Sequence, residues 1–266
     1  MLDSYKREIN YLRVSVTDRC NLRCKYCMPA EGVSLMRHED ILSFEEITEI
    51  LKIAVSKGIT KVRITGGEPL VRKGIISLIE QISKIPGIDD LSMTTNGILL
   101  EEYAEPLAKA GIQRINISLD TVNPDKYAEI TRGGDIKKVV RGIVAAKKAG
   151  LSPIKINCVV KNSSEEPDAF GVKDFCKKTG LQVRFIQLMD LEKGHFSVVD
   201  GGTGGDCSIC NRLRLTANGK IKPCLFNDIE FDVRILDAEK AITEAIKYKP
   251  ECGTFNKNGH FSNIGG

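Results

Sequence analysis

Cys20, Cys24 and Cys27 stand close together in the segment SVTDRCNLRCKYCMP, directly after a β-rich run. Three thiolates on one short loop can hold three corners of an iron–sulfur cubane, and soft sulfur ligands favour iron–sulfur clusters or zinc. A structural zinc would want a fourth close ligand. His38 is the nearest candidate, and its spacing fits no usual zinc pattern. Three ligands leave one iron of a cubane unsatisfied, and such an iron can bind and cleave a cofactor.

A second set, Cys207, Cys210 and Cys224, lies in DCSICNRLRLTANGKIKPCLF. The Asn218-Gly219 dipeptide between LRLT and KIKPCLF predicts a hairpin that folds Cys224 back onto the Cys207–Cys210 pair. A zinc ribbon is the plain alternative, but three obvious ligands favour an auxiliary cluster with an open iron. Cys252 is a possible fourth ligand that would close this site. Cys158, on the helix-facing side of a strand, and Cys176, within a helical run, read as core residues. A further segment, TGGEP (65–69), ends a strand, and its glycines let backbone approach a ligand closely.

The elements that must position these residues alternate from residue 11 to about 189. Strand patterns cover 11–17, 61–65, 90–96, 113–120, 153–160 and 181–189. Amphipathic helical patterns cover 44–57, 73–84, 100–110, 136–149 and 168–179, with Gly58, Gly111, Gly150 and Gly180 placed as left-handed caps. Such alternation predicts a parallel sheet, open or closed into a barrel. Strands covered on both faces should be apolar throughout. These alternate instead, with Arg13/Ser15/Thr17, Lys61/Arg63/Thr65, Ser92/Thr94/Asn96, Asn116/Ser118/Asp120 and Lys155/Asn157 on one face. Helices can cover the apolar face, so the polar face must line a wet or ligand-filled lumen. Its four cations suit an anionic ligand. The sixth strand breaks this parity, because Arg184 shares a face with Ile186 and Leu188. Residues 190–206 are Gly-rich and aperiodic, a loop, and a helix is expected over about 237–247 before an irregular tail.

Bulk properties exclude several classes. A net charge of +4 over 266 residues gives neither a nucleic-acid arm nor a membrane patch. No run approaches the ~18 apolar residues of a membrane span, and MLDSYKREIN has no signal-peptide core. The expected location is the cytoplasm, where nine cysteines point to metal or redox chemistry, not disulfides.

The C-x3-C-x2-C spacing after strand one, paired with GGEP after strand two, resembles the radical S-adenosylmethionine (SAM) superfamily. Within it the chain is similar to the molybdenum-cofactor GTP 3′,8-cyclases. The resemblance rests on LRVSVTDRCNLRCKYCMP, KVRITGGEPLVR, TTNG, INISLD, KINCVV, RFIQLM, CSICNRLRLTANGKIKPCLF and the terminal IGG, nearly the whole chain. It implies an α/β fold: an incomplete (β/α)6 radical SAM barrel over 1–190 and a C-terminal Fe–S-binding extension over 191–266, with two [4Fe–4S] clusters. Cys20, Cys24 and Cys27 would hold the one that cleaves SAM to a 5′-deoxyadenosyl radical. Cys207, Cys210 and Cys224 would hold the other, whose open iron binds the guanine of GTP. The radical would take H3′ and C3′ would attack C8, giving 3′,8-cyclo-7,8-dihydro-GTP. By matching position, Tyr26, Gly67, Glu68, Ser118 and Met189 would bind SAM, Tyr26 near the adenine and Glu68 at the amine. Arg13, Arg63, Thr94, Lys155, Arg212 and Arg214 would bind GTP. Gly265 and Gly266 would be the tail that enters the active site. The implied partners are a flavodoxin- or ferredoxin-like electron donor and the downstream cyclic pyranopterin monophosphate synthase, for a monomer or homodimer.

The chain departs from the family pattern in places. Only the 17 residues 190–206 separate Met189 from Cys207, so a segment that helps to wall the substrate cavity is missing. LMD replaces LMP, the tail reads GHFSNIGG, and Cys252 is extra. A paralogue acting on another nucleotide or a peptide is the alternative reading. A two-cluster electron carrier or zinc scaffold would need neither GGEP nor the polar lumen.

Overall fold

Alternation along each strand becomes a sheet with one apolar and one polar face in the computed structural model, which describes residues 1–257 and 264. The strands are β1 (Tyr11–Ser15), β2 (Lys61–Thr65), β3 (Asp90–Thr95), β4 (Arg114–Ser118), β5 (Ile154–Val160) and β6 (Gln182–Gln187). Each pairs in parallel with the next in chain order, the arrangement an incomplete (β/α)6 barrel requires. The free edge of β1 is taken by β7 (Arg212–Leu215), again in parallel. Strands β8 (Lys220–Lys222) and β9 (Phe231–Asp232) follow in antiparallel pairing, so residues 191–257 extend the same sheet.

Helices α1 (Phe44–Ser56), α2 (Ile75–Ser83), α3 (Leu100–Ala110), α5 (Ile136–Lys148) and α6 (Pro167–Thr179) fall where the amphipathic patterns put them. Local sequence sets their ends. Ser43 and Glu46 form a reciprocal capping box at α1, and Gly111 and Gly180 end α3 and α6 with positive φ. The apolar strand face (Leu12, Val14, Val62, Ile64, Met93, Ile115, Ile117, Ile156) and the helices enclose one core. Each fully buried aliphatic side chain there contributes about 1.5–3 kcal/mol. Cys158 and Cys176 are in this core, as their positions predicted.

Two helices depart from the sequence reading. The short α7 (Val233–Leu236) precedes the expected α8 (Ala238–Lys247), and α4 (Pro124–Thr131) had no sequence counterpart. Its periodicity is faint because it buries only Tyr127 and Thr131, although Asn123 caps it and Pro124 opens it. The element still matters for the site. A helix C-terminus leaves carbonyls without intrahelical donors, and here Lys25 N–H donates to Ile130 O and Arg23 N–H to Thr131 O. Arg132, with φ of 54°, turns its guanidinium onto the carbonyls of Arg23 and Met28. The end of α4 therefore holds the first cysteine loop. Among the described residues, no helix is long and apolar enough to cross a membrane.

Candidate active site

Two glycines dock the first cysteine loop onto the end of β2. Gly67 N–H donates to Thr17 O and Glu68 N–H to Arg19 O, each at 2.8 Å. A Cβ on Gly67 would lie 2.4 Å from Arg19 O, and one on Gly66 (φ 147°) 2.6 Å from Thr17 O. In the structure these glycines admit the cysteine loop's own backbone as well as facing a cavity. Gly67→Ala is therefore expected to cost about 1–3 kcal/mol through overpacking against backbone and to displace Cys20. Iron content and the thermal midpoint measure both, and a variant matching the parent in each would refute this docking.

Cys20, Cys24 and Cys27 converge on a cavity of about 180 Å3 with Tyr26, Gly66, Gly67, Thr94, Asn96, Ser118, Asn157 and Met189. Burial, then Cys27 and Asp120, pushes the Cys24 thiol up to about 12. Burial, then Cys20, takes Cys27 to about 11. Tyr26 is fixed by its hydroxyl, which donates to Asp120 Oδ2 at 2.9 Å, while Val159 N–H donates to Oδ1 at 2.8 Å.

Glu68 is not on the cavity wall. Its carboxylate accepts from Thr95 Oγ1 (2.7 Å), Asn96 N (2.7 Å) and Leu70 N (3.1 Å). Burial pushes it up to about 7. Asn96 in turn donates from Nδ2 to Asn21 Oδ1 at 2.7 Å and points the same amide at Cys20 Sγ, 3.8 Å away. Glu68 thus positions the loop through Asn96, a residue whose place on the polar face of strand three was the only sign of it in the sequence.

A second cavity, of about 350 Å3, adjoins the first across Asn157, Ile186 and Met189. Arg13, Arg63, Arg212 and Arg214 line it, as do Lys61, Arg114, Arg184 and Lys249. Of the other two residues matched to GTP, Thr94 lines the first cavity, and Lys155 is not on either wall. Lys155 is held below the usual lysine range by burial, then by Arg184, Arg114 and Arg63. Burial, then Arg214, lowers Arg13 well below the usual arginine value; burial, then Arg212, lowers Arg214 to about 10. The carboxylates of Asp120 and Glu68 are held by the partners described above, and Arg63 Nε donates to Ser92 Oγ at 3.2 Å. Two acids line this cavity, Asp206 on the loop and Asp90, which forms a two-pronged pair with Arg114.

Arg184 settles the parity of the sixth strand: it and Ile186 both face the cavity. Buried polar atoms here point to a polar occupant. Arg184 Nε, Asn116 Oδ1 and Nδ2, Asn157 Oδ1, Tyr11 Oη and Thr94 Oγ1 have no hydrogen-bond partner among the described residues. All belong to residues lining the two cavities. Leaving such groups unsatisfied costs about 1–3 kcal/mol each, which a bound polar molecule would recover.

The short loop forms one side of this cavity. Ser197, Val199 and the glycines 202, 204 and 205 line it, and Arg212 donates to Thr203 O at 3.1 Å. Phe196 stacks on Phe226 with centroids 4.4 Å apart. The Asn218-Gly219 hairpin forms as predicted, Gly219 at φ 83°, and returns Cys224 to the wall shared with Cys207 and Cys210. Lys249 and Arg212 outweigh the opposing effect of burial and lower the Cys210 thiol. Among the described residues, no three His, Cys, Asp or Glu side chains close around a single metal ion. Gly265 and Gly266 lie outside the described residues. Their neighbour Ile264 is buried against Leu191, Leu225 and Phe226.

A parallel sheet in sequential order, with a three-cysteine loop after its first strand and a cavity over the thiols, defines a radical SAM fold. The family model for the Radical SAM superfamily matches residues 14–167. A curated protein from Alkaliphilus metalliredigens named GTP 3′,8-cyclase is 40% identical over 323 aligned positions, covering all of both chains. One of the same name from Alkaliphilus oremlandii is 42% identical over 325 positions, again covering both in full. The chain belongs to the family of these GTP 3′,8-cyclases, within the radical SAM superfamily. Membership carries a [4Fe–4S] cluster and SAM as cofactors. The alignments outrun the chain's 266 residues, so these relatives hold residues with no counterpart here. Among solved structures, Streptococcus suis SuiB bound to precursor peptide SuiA has the same fold. Its TM-score is 0.67 at 17% identity, covering 92% of this chain and 66% of that one.

Proposed function

We propose that this protein is a GTP 3′,8-cyclase that converts GTP to 3′,8-cyclo-7,8-dihydro-GTP for molybdenum cofactor biosynthesis in the cytoplasm. The observation that carries the proposal is the pair of adjoining cavities, one over the thiols of Cys20, Cys24 and Cys27, the other crowded with arginines. SAM on a [4Fe–4S] cluster held by those thiols would supply, on one-electron reduction, a 5′-deoxyadenosyl radical to take H3′ of GTP; closure of C3′ on C8 would then take up one further electron and a proton to give the dihydro product.

The chain's own residues supply position and charge. Gly67, Ser118, Met189 and the Asp120-fixed Tyr26 cradle SAM, and Glu68 acts through Asn96 on the cysteine loop. Arg13, Arg63, Arg184, Arg212 and Arg214, with Lys155 adding field, neutralise a triphosphate; planar guanidinium forks match its oxygens. Thr94, Asn116 and Asn157 offer buried polar atoms at the boundary between the cavities, where ribose and base would sit. Cys207, Cys210 and Cys224 hold the second cluster on the nucleotide side, within the 191–266 region. A flavodoxin- or ferredoxin-like protein supplies the electrons, one for SAM cleavage and one for the cyclised radical, and the downstream synthase takes the product. Either a monomer or a homodimer can do this, since one chain carries every residue named.

Anaerobic turnover with SAM, reductant and each nucleoside triphosphate in turn tests the reading. GTP alone should give deoxyadenosine together with a cyclised nucleotide. Deoxyadenosine formed without any nucleotide product in GTP, or equally with all four triphosphates, would reject GTP as the substrate.

A further inference from the structure

Lys249 has no part in the function set out above, yet it is buried, 3% exposed, on the wall that Cys207, Cys210 and Cys224 share. Its ammonium donates to Arg212 O at 2.8 Å and to Pro223 O at 2.7 Å. Arg212 comes two residues after Cys210, and Pro223 directly before Cys224. One group therefore bridges the backbones that carry two of the three thiols. An ammonium has three N–H donors. These carbonyls take two, and Cys210 is the partner of the third.

Among the described residues, no carboxylate pairs with Lys249. A buried charge held only by neutral carbonyls is costly, and a nearby anion must offset it. The anions in reach are sulfurs: burial lowers the basicity of Lys249, while Cys210 and then Cys224 act the other way. The fold also leaves this lysine little freedom. The buried Arg7 guanidinium donates from Nη2 to Pro250 O (2.6 Å), and from Nη1 to Glu251 O (2.8 Å) and Cys207 O (2.7 Å). Asp3, also buried, accepts from Arg7 Nε through Oδ2 at 2.6 Å. Asp3 neutralises Arg7, so Arg7 supplies position and Lys249 the charge. A reduced iron–sulfur cluster carries one more negative charge than its oxidised form, and local charge and hydrogen bonds to sulfur set its potential.

We infer that Lys249 is a positioning residue of the second cysteine site, where its ammonium clamps the segments of Cys210 and Cys224 and stabilises the reduced state of the cluster they hold. The inference rests on the second cluster proposed above. Its test uses the full chain carrying Cys24→Ala, reconstituted anaerobically so that about four irons remain, all in the second cluster. Lys249→Gln keeps N–H donors and removes the charge; Lys249→Met removes both. In an EPR-monitored redox titration each should lower the midpoint potential, by at least tenfold in the reduction equilibrium, about 59 mV for one electron. A Lys249→Gln potential equal to that of the parent overturns the inference and leaves the cluster standing. A further measurement needs no substitution at Lys249. With nitrogen-15 lysine in the chain, pulsed EPR of the reduced cluster should show a weak nitrogen-15 coupling, and its absence overturns the contact whatever the variants do. A Cys24→Ala protein without iron overturns the second cluster and this role of Lys249 with it.

Discussion

Cys24→Ala is expected to abolish formation of 5′-deoxyadenosine while leaving the fold and the second cysteine set intact. Cys24 has no role in the packed core; its backbone carbonyl accepts from Cys27 and Met28 N–H, bonds that alanine keeps. What is lost is one of three thiolates, and two cannot hold a cubane against solvent and reductant. Iron should fall from about eight to about four per chain, and deoxyadenosine should drop below detection in reduced, oxygen-free assays with SAM. The thermal midpoint of the metal-free protein should barely move. An undiminished deoxyadenosine yield would remove the basis for SAM cleavage at this loop.

Arg214→Met is expected to weaken GTP binding by about 30- to 1,000-fold, the equivalent of losing roughly 2–4 kcal/mol of charge-assisted hydrogen bonding. Arg214 is 7% exposed, in register with Arg13 on the neighbouring strand, and faces the larger cavity. The same crowding makes a second, opposite expectation. Burial and Arg212 lower Arg214 from the usual arginine range to about 10. A base held below its unfolded value destabilises the fold wherever it is protonated, so the penalty is complete at pH 7 and relieved only above about 10. It is on the order of 3 kcal/mol. The nucleotide-free Arg214→Met protein should therefore melt higher than the parent, while isothermal titration with GTP shows the loss. Arg214→Lys should fall between the two in affinity, because it keeps the charge without the fork. A variant that binds GTP like the parent would remove Arg214 from the nucleotide site.

These two results address different ends of one lumen, and the polar strand faces are what join them. Both cysteine sets, the parallel sheet and five of its inward faces were legible in residue spacing alone, since strand period and ligand spacing are local properties. The departures are equally physical. Helix α4 escaped because it buries only Tyr127 and Thr131, which leaves its apolar periodicity too faint to read. Glu68 reads as a ligand group in one dimension, and only packing shows its carboxylate also accepting from Thr95, Leu70 and Asn96.

What the sequence determined by itself is the chemistry available: which thiolates, which cations, and which strand faces they occupy, because alternation and short-range spacing survive without tertiary context. What only the tertiary structure decided is which of these groups meet. Arg184 faces the same cavity as Arg13, Arg63 and Arg214, and Arg7 ties together the backbone of Cys207 and Glu251, 200 and 244 residues further along the chain. Such meetings depend on how the sheet curves and where a buried ion pair anchors a terminus, and neither is encoded in local periodicity.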